Sequence, residues 1–304
     1  MDIHFCMIEN ALSWDFYRTF LEVLREGSLS GAARSLGLTQ PTVGRHVDAL
    51  ETALGYALFI RTQQGLSPTQ EALALRPYAE ALESTSTALL RAASSQGAGV
   101  RGTIRITASD VITVEVLPAI ITELHAAYPE LTIELMSSNR IEDLLQREAD
   151  IAVRMQRPSQ GVLIARRIGD VELGMYAHKD YLARRGRPAR IDDLAGHVLI
   201  GFDKETAFIR SMKTKLPDVH RELLALRTDS DLASLAMLRA GFGIGYCQIG
   251  LARNNPALVR LFPKRISLKL DTWLAMHEDL RDNPSCKVAF AALATGLEKY
   301  VQGA

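Results

Sequence analysis

The sequence predicts an α+β chain of more than one domain, with an N-terminal winged helix-turn-helix, a long linker helix and a C-terminal two-lobed α/β domain. Three observations carry that prediction. Ser28 to Leu54 reads as two short capped helices around Gly37; Thr69 to about Ser94 repeats apolar positions at alternating spacings of four and three; beyond the break SSQGAGVRG (94–102), strand patterns alternate with helical ones.

Residues 1–13 read as a loose leader, with Met7 an alternative start. Ser13 can cap a helix that has Asp15 in its first turn and turns Phe16, Phe20, Val23 and Leu24 inward, so Trp14 and the aromatics here read as core. Ser28 caps the next helix, whose Leu29, Ala32, Ala33 and Leu36 share one face. Gly37 ends it, and Leu38 is expected as a buried turn residue. Thr39 caps a third helix with Pro41 in its first turn, where a missing N–H costs nothing. That helix should bury Val43, Val47, Leu50 and Leu54, turn Thr42, Arg45 and Ala49 outward, and hold Gln40 and His46 at the flanks. Gly55 to Thr69 then supplies a small β-hairpin wing: Leu58 and Phe59 apolar, Arg61 outward, Gln63, Gln64 and Gly65 at the tip.

The ordered run AARSLGLTQPTVGRHVDALETALGYALFIRT resembles the LysR-type transcriptional regulators, and the resemblance extends over essentially all of the chain from Trp14. It implies that the third helix enters a DNA major groove. The candidate DNA-binding residues are Thr39, Gln40, Pro41, Thr42, Arg45 and His46, with Arg61 for a flanking phosphate or the minor groove. Two positions depart from the family pattern: Gly44 stands where a serine commonly sits, and Gln63 and Gln64 occupy a wing tip that is frequently basic.

Bulk properties set bounds. A length of 304 residues suits about two domains, and 47% hydrophobic with 23% charged residues is ordinary globular composition. No run approaches the roughly 18 apolar residues of a membrane span, no basic-then-apolar leader is seen, and the chain reads as cytoplasmic with no membrane partner. Cys6, Cys247 and Cys286 show no ligand spacing, so neither a metal nor another cofactor is expected. Net charge is zero, and through residue 95 there are seven arginines, no lysines and ten acids. DNA affinity must therefore come from where the charges sit and from dimerisation.

In the linker, Leu75, Ala79, Leu82, Ser86, Leu89 and Ala93 form an a/d-type seam, and Pro77 should kink it early. A partner chain is the economical cover for that seam, with packing against the same chain's other domain as the alternative; the resemblance implies a dimer linker. Domain bounds are expected at 14–68 (winged helix-turn-helix), 69–97 (linker and hinge) and 98–304. Within the last, strands are expected at 103–108, 131–136, 151–153, 164–168, 173–177, 198–200, 223–227, 244–246 and 272–277, with helices at 117–124, 141–147, 229–239 and from Asn283-Pro284 onward. A first lobe (98–170 and 268–304) that both begins and ends the domain around a second (171–267) implies two crossing strands and a cleft. This resembles the family's effector domain, built like a type 2 periplasmic solute-binding protein.

Ligands in open parallel sheets sit beyond the carboxyl ends of strands. That rule selects Ser109, Asp110, Arg154, Phe202, Thr228, Asp229 and Gln248 as candidate effector-binding residues, with Asp203, Ser230 and Cys247 beside them. Each has a plainer reading: Ser109, Thr228 and Asp229 as helix caps, Arg154 as a partner of Asp150, Cys247 as a packing residue. Ser109 favours an anion and Asp110 a cation, which leaves the ligand's sign open. Gly241, Gly243 and Gly245 lie between a helix and a strand, the reverse of a dinucleotide loop.

The resemblance implies a sequence-specific regulator of transcription controlled by a small-molecule effector. It would act as a homodimer or homotetramer on double-stranded DNA at a dyad-symmetric site, with RNA polymerase a further partner. The alternatives are a thiol-responsive redox regulator using Cys247, a solute-binding protein, and an enzyme on the two-lobe scaffold, for which no catalytic spacing is present.

Overall fold

The computed structural model describes residues 13–62, 65–94, 99–138, 149–158, 163–205, 209–210 and 221–303. The expected leader up to residue 12, Gln63 and Gln64 of the wing tip, part of the hinge and the helix expected at 141–147 lie outside the described residues. The chain divides near residue 90 into two compact units, each described here by itself.

The N-terminal unit runs α1 (Trp14–Glu26), α2 (Leu29–Leu36), α3 (Gln40–Leu54), β1 (Phe59–Thr62), β2 (Gly65–Pro68) and most of α4 (Gln70–Ser94). The hydroxyls of Ser13, Ser28 and Thr39 accept from the N–H groups of Asp15, Gly31 and Thr42, and Gly27, Gly37 and Gly55 close the same three helices in the left-handed region. α3 serves two apolar clusters. Val43 and Val47 meet Val23, Ala32 and Ala33, while Leu50 meets Phe20, Leu21, Leu58, Ala72 and Ala79. Each large side chain so buried contributes about 1.5–3 kcal/mol. Leu38 is not the buried turn residue expected of it, since 40% of its surface is exposed. Its backbone does the turning, with its N–H on the Ala33 carbonyl at 2.9 Å, and the gap between α2 and α3 is already filled by Ala32, Ala33, Val43 and Val47.

The wing is an antiparallel pair with Arg61 opposite Leu66. Glu51 Oε1 on α3 accepts the N–H groups of Leu58 (2.6 Å) and Phe59 (3.2 Å), and the Leu66 N–H donates to the Gly27 carbonyl at 2.8 Å. The wing is thereby fastened both to the reading helix and to the α1–α2 turn.

The α4 seam divides. Ala72 and Ala79 are fully buried and Leu75 packs beside them in the unit's own core, with Arg25 on α1 holding Glu83 through two hydrogen bonds of 2.6 and 3.0 Å. That carboxylate raises the Arg25 pKa. Farther along, Leu82, Leu89 and Leu90 stand 46%, 67% and 65% exposed. The first part of the seam is thus covered within the N-terminal unit itself.

The C-terminal unit contains β3 (Gly102–Ala108), a π turn (Ile112–Val116), α5 (Leu117–Ala127), β4 (Leu131–Ser137), β5 (Ile151–Arg154), β6 (Leu163–His178), α6 (Lys179–Arg185), β7 (Leu199–Gly201), β8 (Leu224–Arg227), α7 (Asp231–Arg239), β9 (Ile244–Gln248), α8 (Ile249–Arg253), β10 (Leu258–Leu261), β11 (Leu268–His277) and α9 (Pro284–Gln302). The sheet order is β4-β3-β5-β11-β6-β9-β7-β8, with β10 also on β6. β4, β3 and β5 are mutually parallel, as are β9, β7 and β8 at the other end. The larger core runs from Ile104, Ile106, Leu117, Ile151, Leu274 and Leu293 across to Ile200, Leu235, Leu238 and Cys247, and a smaller one gathers Met175, Tyr181, Leu199, Ile244 and Leu261.

The strands expected at 164–168 and 173–177 are one 16-residue strand, β6, because β11 starts earlier than expected and pairs along it from Leu163↔His277 to Leu173↔Leu268. At the crossing, a bulge between Thr272 and Trp273 faces Gly169, whose φ is 146° and whose Cβ would lie 2.9 Å from Val301 Cγ1. Only glycine lets the strand run through there. α7 begins at Asp231 rather than Asp229, since Ser230 is its cap and the Thr228 hydroxyl accepts from the Ser230 N–H. β10, α6 and the π turn carry no signal that the sequence reading used. Among the described residues no helix is long and apolar enough to cross a membrane.

Two glycines of the N-terminal unit should respond to alanine with opposite signs. A Cβ at Gly44 meets only Leu29 Cδ1, at 3.8 Å, so Gly44→Ala should stabilise the chain by about 1 kcal/mol. At Gly65, with φ 124°, a Cβ would lie 2.7 Å from the Gly27 carbonyl oxygen. Gly65→Ala should therefore cost more than about 1 kcal/mol. Thermal melts of the two variants beside the parent check both signs.

Candidate nucleic-acid face and ligand cleft

Thr39, Gln40 and Pro41 are exposed at the start of α3, Thr42 is half-buried and Arg45 is exposed. Spacing of three residues places Thr39, Thr42 and Arg45 along one side of the helix. They are joined there: the two threonine hydroxyls lie 2.8 Å apart, and Arg45 Nη2 donates to Thr42 Oγ1 at 3.4 Å. The guanidinium is thus steered toward the N-terminal end of α3. Arg61 is exposed on β1.

His46 is differently placed. Its ring packs on Phe16 with centroids 5.1 Å apart, and its Nδ1 lies 2.9 Å from Thr19 Oγ1. Thr19 has one hydroxyl proton and gives it to the Asp15 carbonyl at 2.6 Å. The imidazole must therefore donate through Nδ1–H, which spends that edge on fixing α3 to α1.

In the C-terminal unit the predicted residues fall into three groups. Ser109, Asp110 and Arg154 belong to the first. The Ser109 carbonyl accepts the Thr113 N–H (2.8 Å), and Asp110 accepts the Ser137 hydroxyl. Arg154 is only 8% exposed, donating to the Val153 carbonyl at 3.0 Å and to Thr107 Oγ1 at 3.2 Å. The second group is Phe202, Thr228 and Asp229, beyond β7 and β8. Phe202 is exposed, while Asp229 Oδ1 accepts the N–H groups of Asp203 (3.2 Å) and Lys204 (2.9 Å) and so staples that loop instead of capping α7. Gln248 stands apart: it is buried and its carboxamide oxygen accepts the Tyr300 hydroxyl at 2.6 Å. A small cavity of about 70 Å³ lies along the middle of β6, lined by Asp170, Glu172, Arg253 and Tyr300 among others, and includes none of the predicted residues.

The sequence reading passed over Asp231, at the start of α7, whose carboxyl pKa is raised by burial and by the charge of Asp110. Glu115 on the π turn and Arg239 at the end of α7 were also passed over, and they form a two-pronged ion pair at 2.6 and 2.7 Å. The guanidinium's hydrogen bonds hold the Glu115 carboxyl below its usual range against the opposing effect of burial. These partners are 124 residues apart in sequence, so no local signal pairs them. Cys247 is buried, and burial pushes its thiol up to about 11.

The family profile described as "LysR substrate binding domain" matches residues 97–298, and that described as "Bacterial regulatory helix-turn-helix protein, lysR family" matches residues 14–73. An "HTH-type transcriptional regulator" of Xanthomonas campestris pv. campestris is 32% identical over 188 residues, which is 61% of this chain and 54% of that relative's length. The chain is thus aligned with little more than half of that protein. The fold is similar to that of the LysR-type regulator CrgA from Neisseria meningitidis (TM-score 0.56, 23% identity, 94% of this chain and 98% of that one). It is also similar to full-length CbnR complexed with its target DNA (TM-score 0.65, 18% identity, 96% and 100%).

A thiol raised this far is almost wholly protonated near neutral pH and is a poor nucleophile. Cys247 in the native full-length protein should resist iodoacetamide at pH 8 and react once the chain is unfolded, as peptide mass mapping would show. Rapid native labelling would restore the redox alternative.

Proposed function

This chain belongs to the lysR family of bacterial regulatory helix-turn-helix proteins, and from that premise we propose that it is a transcription factor that reads a dyad-symmetric DNA site and answers to a small molecule. The observation that supports the DNA reading most directly is the Thr39–Thr42–Arg45 ladder on the exposed side of α3. With α3 in the major groove, Arg45 and Gln40 offer the bidentate groups that suit guanine and adenine edges. Thr39 and Thr42 offer hydroxyls to phosphate. Arg61 extends the contact to the flank, and His46 contributes by holding α3 in place on α1.

Two copies meet along α4 in this reading. Leu82, Leu89 and Leu90 leave an apolar stripe that a second α4 would cover. Pairing the copies also supplies the affinity that the acidic balance of the N-terminal residues does not. A tetramer would be two such pairs, with RNA polymerase the machine they influence. The effector would lie between the two halves of the C-terminal sheet, touching Ser109, Asp110, Arg154, Phe202, Thr228 and Asp229, and it can act only by preferring one arrangement of those halves. The protein would carry out no reaction of its own and would work in the cytoplasm, where the genome is.

Arg45→Ala tests the groove assignment. It should weaken retention of a DNA site selected from genomic fragments by roughly 10- to 100-fold, the loss expected for one bidentate base contact, with melting temperature and oligomer size unchanged. An Arg45→Ala footprint identical to the parent's overturns it.

A further inference from the structure

We infer that Glu115 and Arg239 form a latch that sets how far the two halves of the C-terminal sheet stand open. Glu115 belongs to the half built on β3, β4 and β5, and Arg239 to the half built on β7, β8 and β9. The chain crosses between these halves on β6 and β11, whose bulge and Gly169 mark the place where a small change of angle costs least. The link from the π turn to the end of α7 joins the two halves directly through charged side chains.

Both ends of the link are rigidly based. The π turn is tied to the end of β3, since the Thr113 N–H donates to the Ser109 carbonyl (2.8 Å) and its hydroxyl to the Ala108 carbonyl (3.1 Å), while Ile112, Thr113 and Val116 are buried. A π turn takes one more residue than an α turn, and such turns recur at functional places. On the other side, Leu235 and Leu238 bury α7, the carbonyl-rich end of that helix favours the Arg239 cation, and Arg184 pins the following Gly241 carbonyl at 3.0 Å. The pair itself is bidentate, with side chains 21% and 35% exposed. It is charge-assisted and partly shielded from water, which places it above an ordinary surface ion pair.

Joined to the effector reading above, the latch gives the cleft a mechanical output; the latch itself requires no effector.

Hydrogen–deuterium exchange of the full-length protein, without added ligand, tests it. Glu115→Gln and Arg239→Gln should each raise exchange several-fold in peptides covering 110–117 and 231–241, while the buried strands β3 and β9 keep the parent's rate. The exchanged pair, Glu115→Arg with Arg239→Glu, should return both peptides toward the parent. A general loosening of the fold would instead raise exchange in β3 and β9 as well, and would overturn the latch. So would single variants indistinguishable from the parent, or an exchanged pair as fast as the singles. Retention of genomic DNA is measured on the same preparations. A parent that never binds DNA overturns the regulator reading, while the exchange comparison still decides the latch.

Discussion

The antiparallel pairing of β6 with β11 carries the chain between the halves of the C-terminal unit, and each half is completed by strands that hang from it. β5 joins one side of β11 and brings β3 and β4; β9 joins β6 and brings β7 and β8. Because side chains alternate along a strand, a slip of β11 by one residue in this pairing would turn Leu268, Leu270 and Leu274 out of their cores. The bulge at Thr272/Trp273 and the positive-φ Gly169 opposite absorb the mismatch of twist at the crossing without breaking either strand. The position of every candidate cleft residue follows from that one ladder.

Economy of packing plays the same part in the N-terminal unit. Ala32 and Ala33 let α2 approach α3 closely, and Val23, Val43 and Val47 complete that contact. α3 is held on three further sides: by His46 to α1, by Glu51 to the wing and by Leu50 to the base of α4. A helix fixed so firmly loses little further freedom when it meets a ligand, which is what a reading helix needs. Arg45 remains outside this framework, exposed and oriented by Thr42.

The candidate cleft residues carry both charges on both halves. Arg154, buried, and Asp110 belong to the half built on β3, β4 and β5, while Lys204 pairs with Asp229 at 3.8 Å beyond β7.

Much of the fold was legible in the sequence because it rests on local rules. Ser13, Ser28 and Thr39 as caps, Gly37 as a stop, and the spacing of Val43, Val47 and Leu50 are decided within a few residues. The outward side of α3 follows from the inward one, so Thr42 and Arg45 could be named from periodicity alone. What the sequence could not specify depends on partners brought together from far away. His46 and Leu38 each have the right spacing for another role, and only the position of α1 and the filled gap between α2 and α3 decide between them. The fusion of 164–168 with 173–177 into one strand was settled by β11, about a hundred residues later in the chain. Asp229 could be taken for a helix cap until the 203–204 backbone was seen to occupy it, and nothing along the chain joins Glu115 to Arg239. Local propensity fixes helices, turns and strand faces because those energies are local. Which polar groups meet is a property of the closed fold, since burial and facing charge exist only once distant segments are in contact.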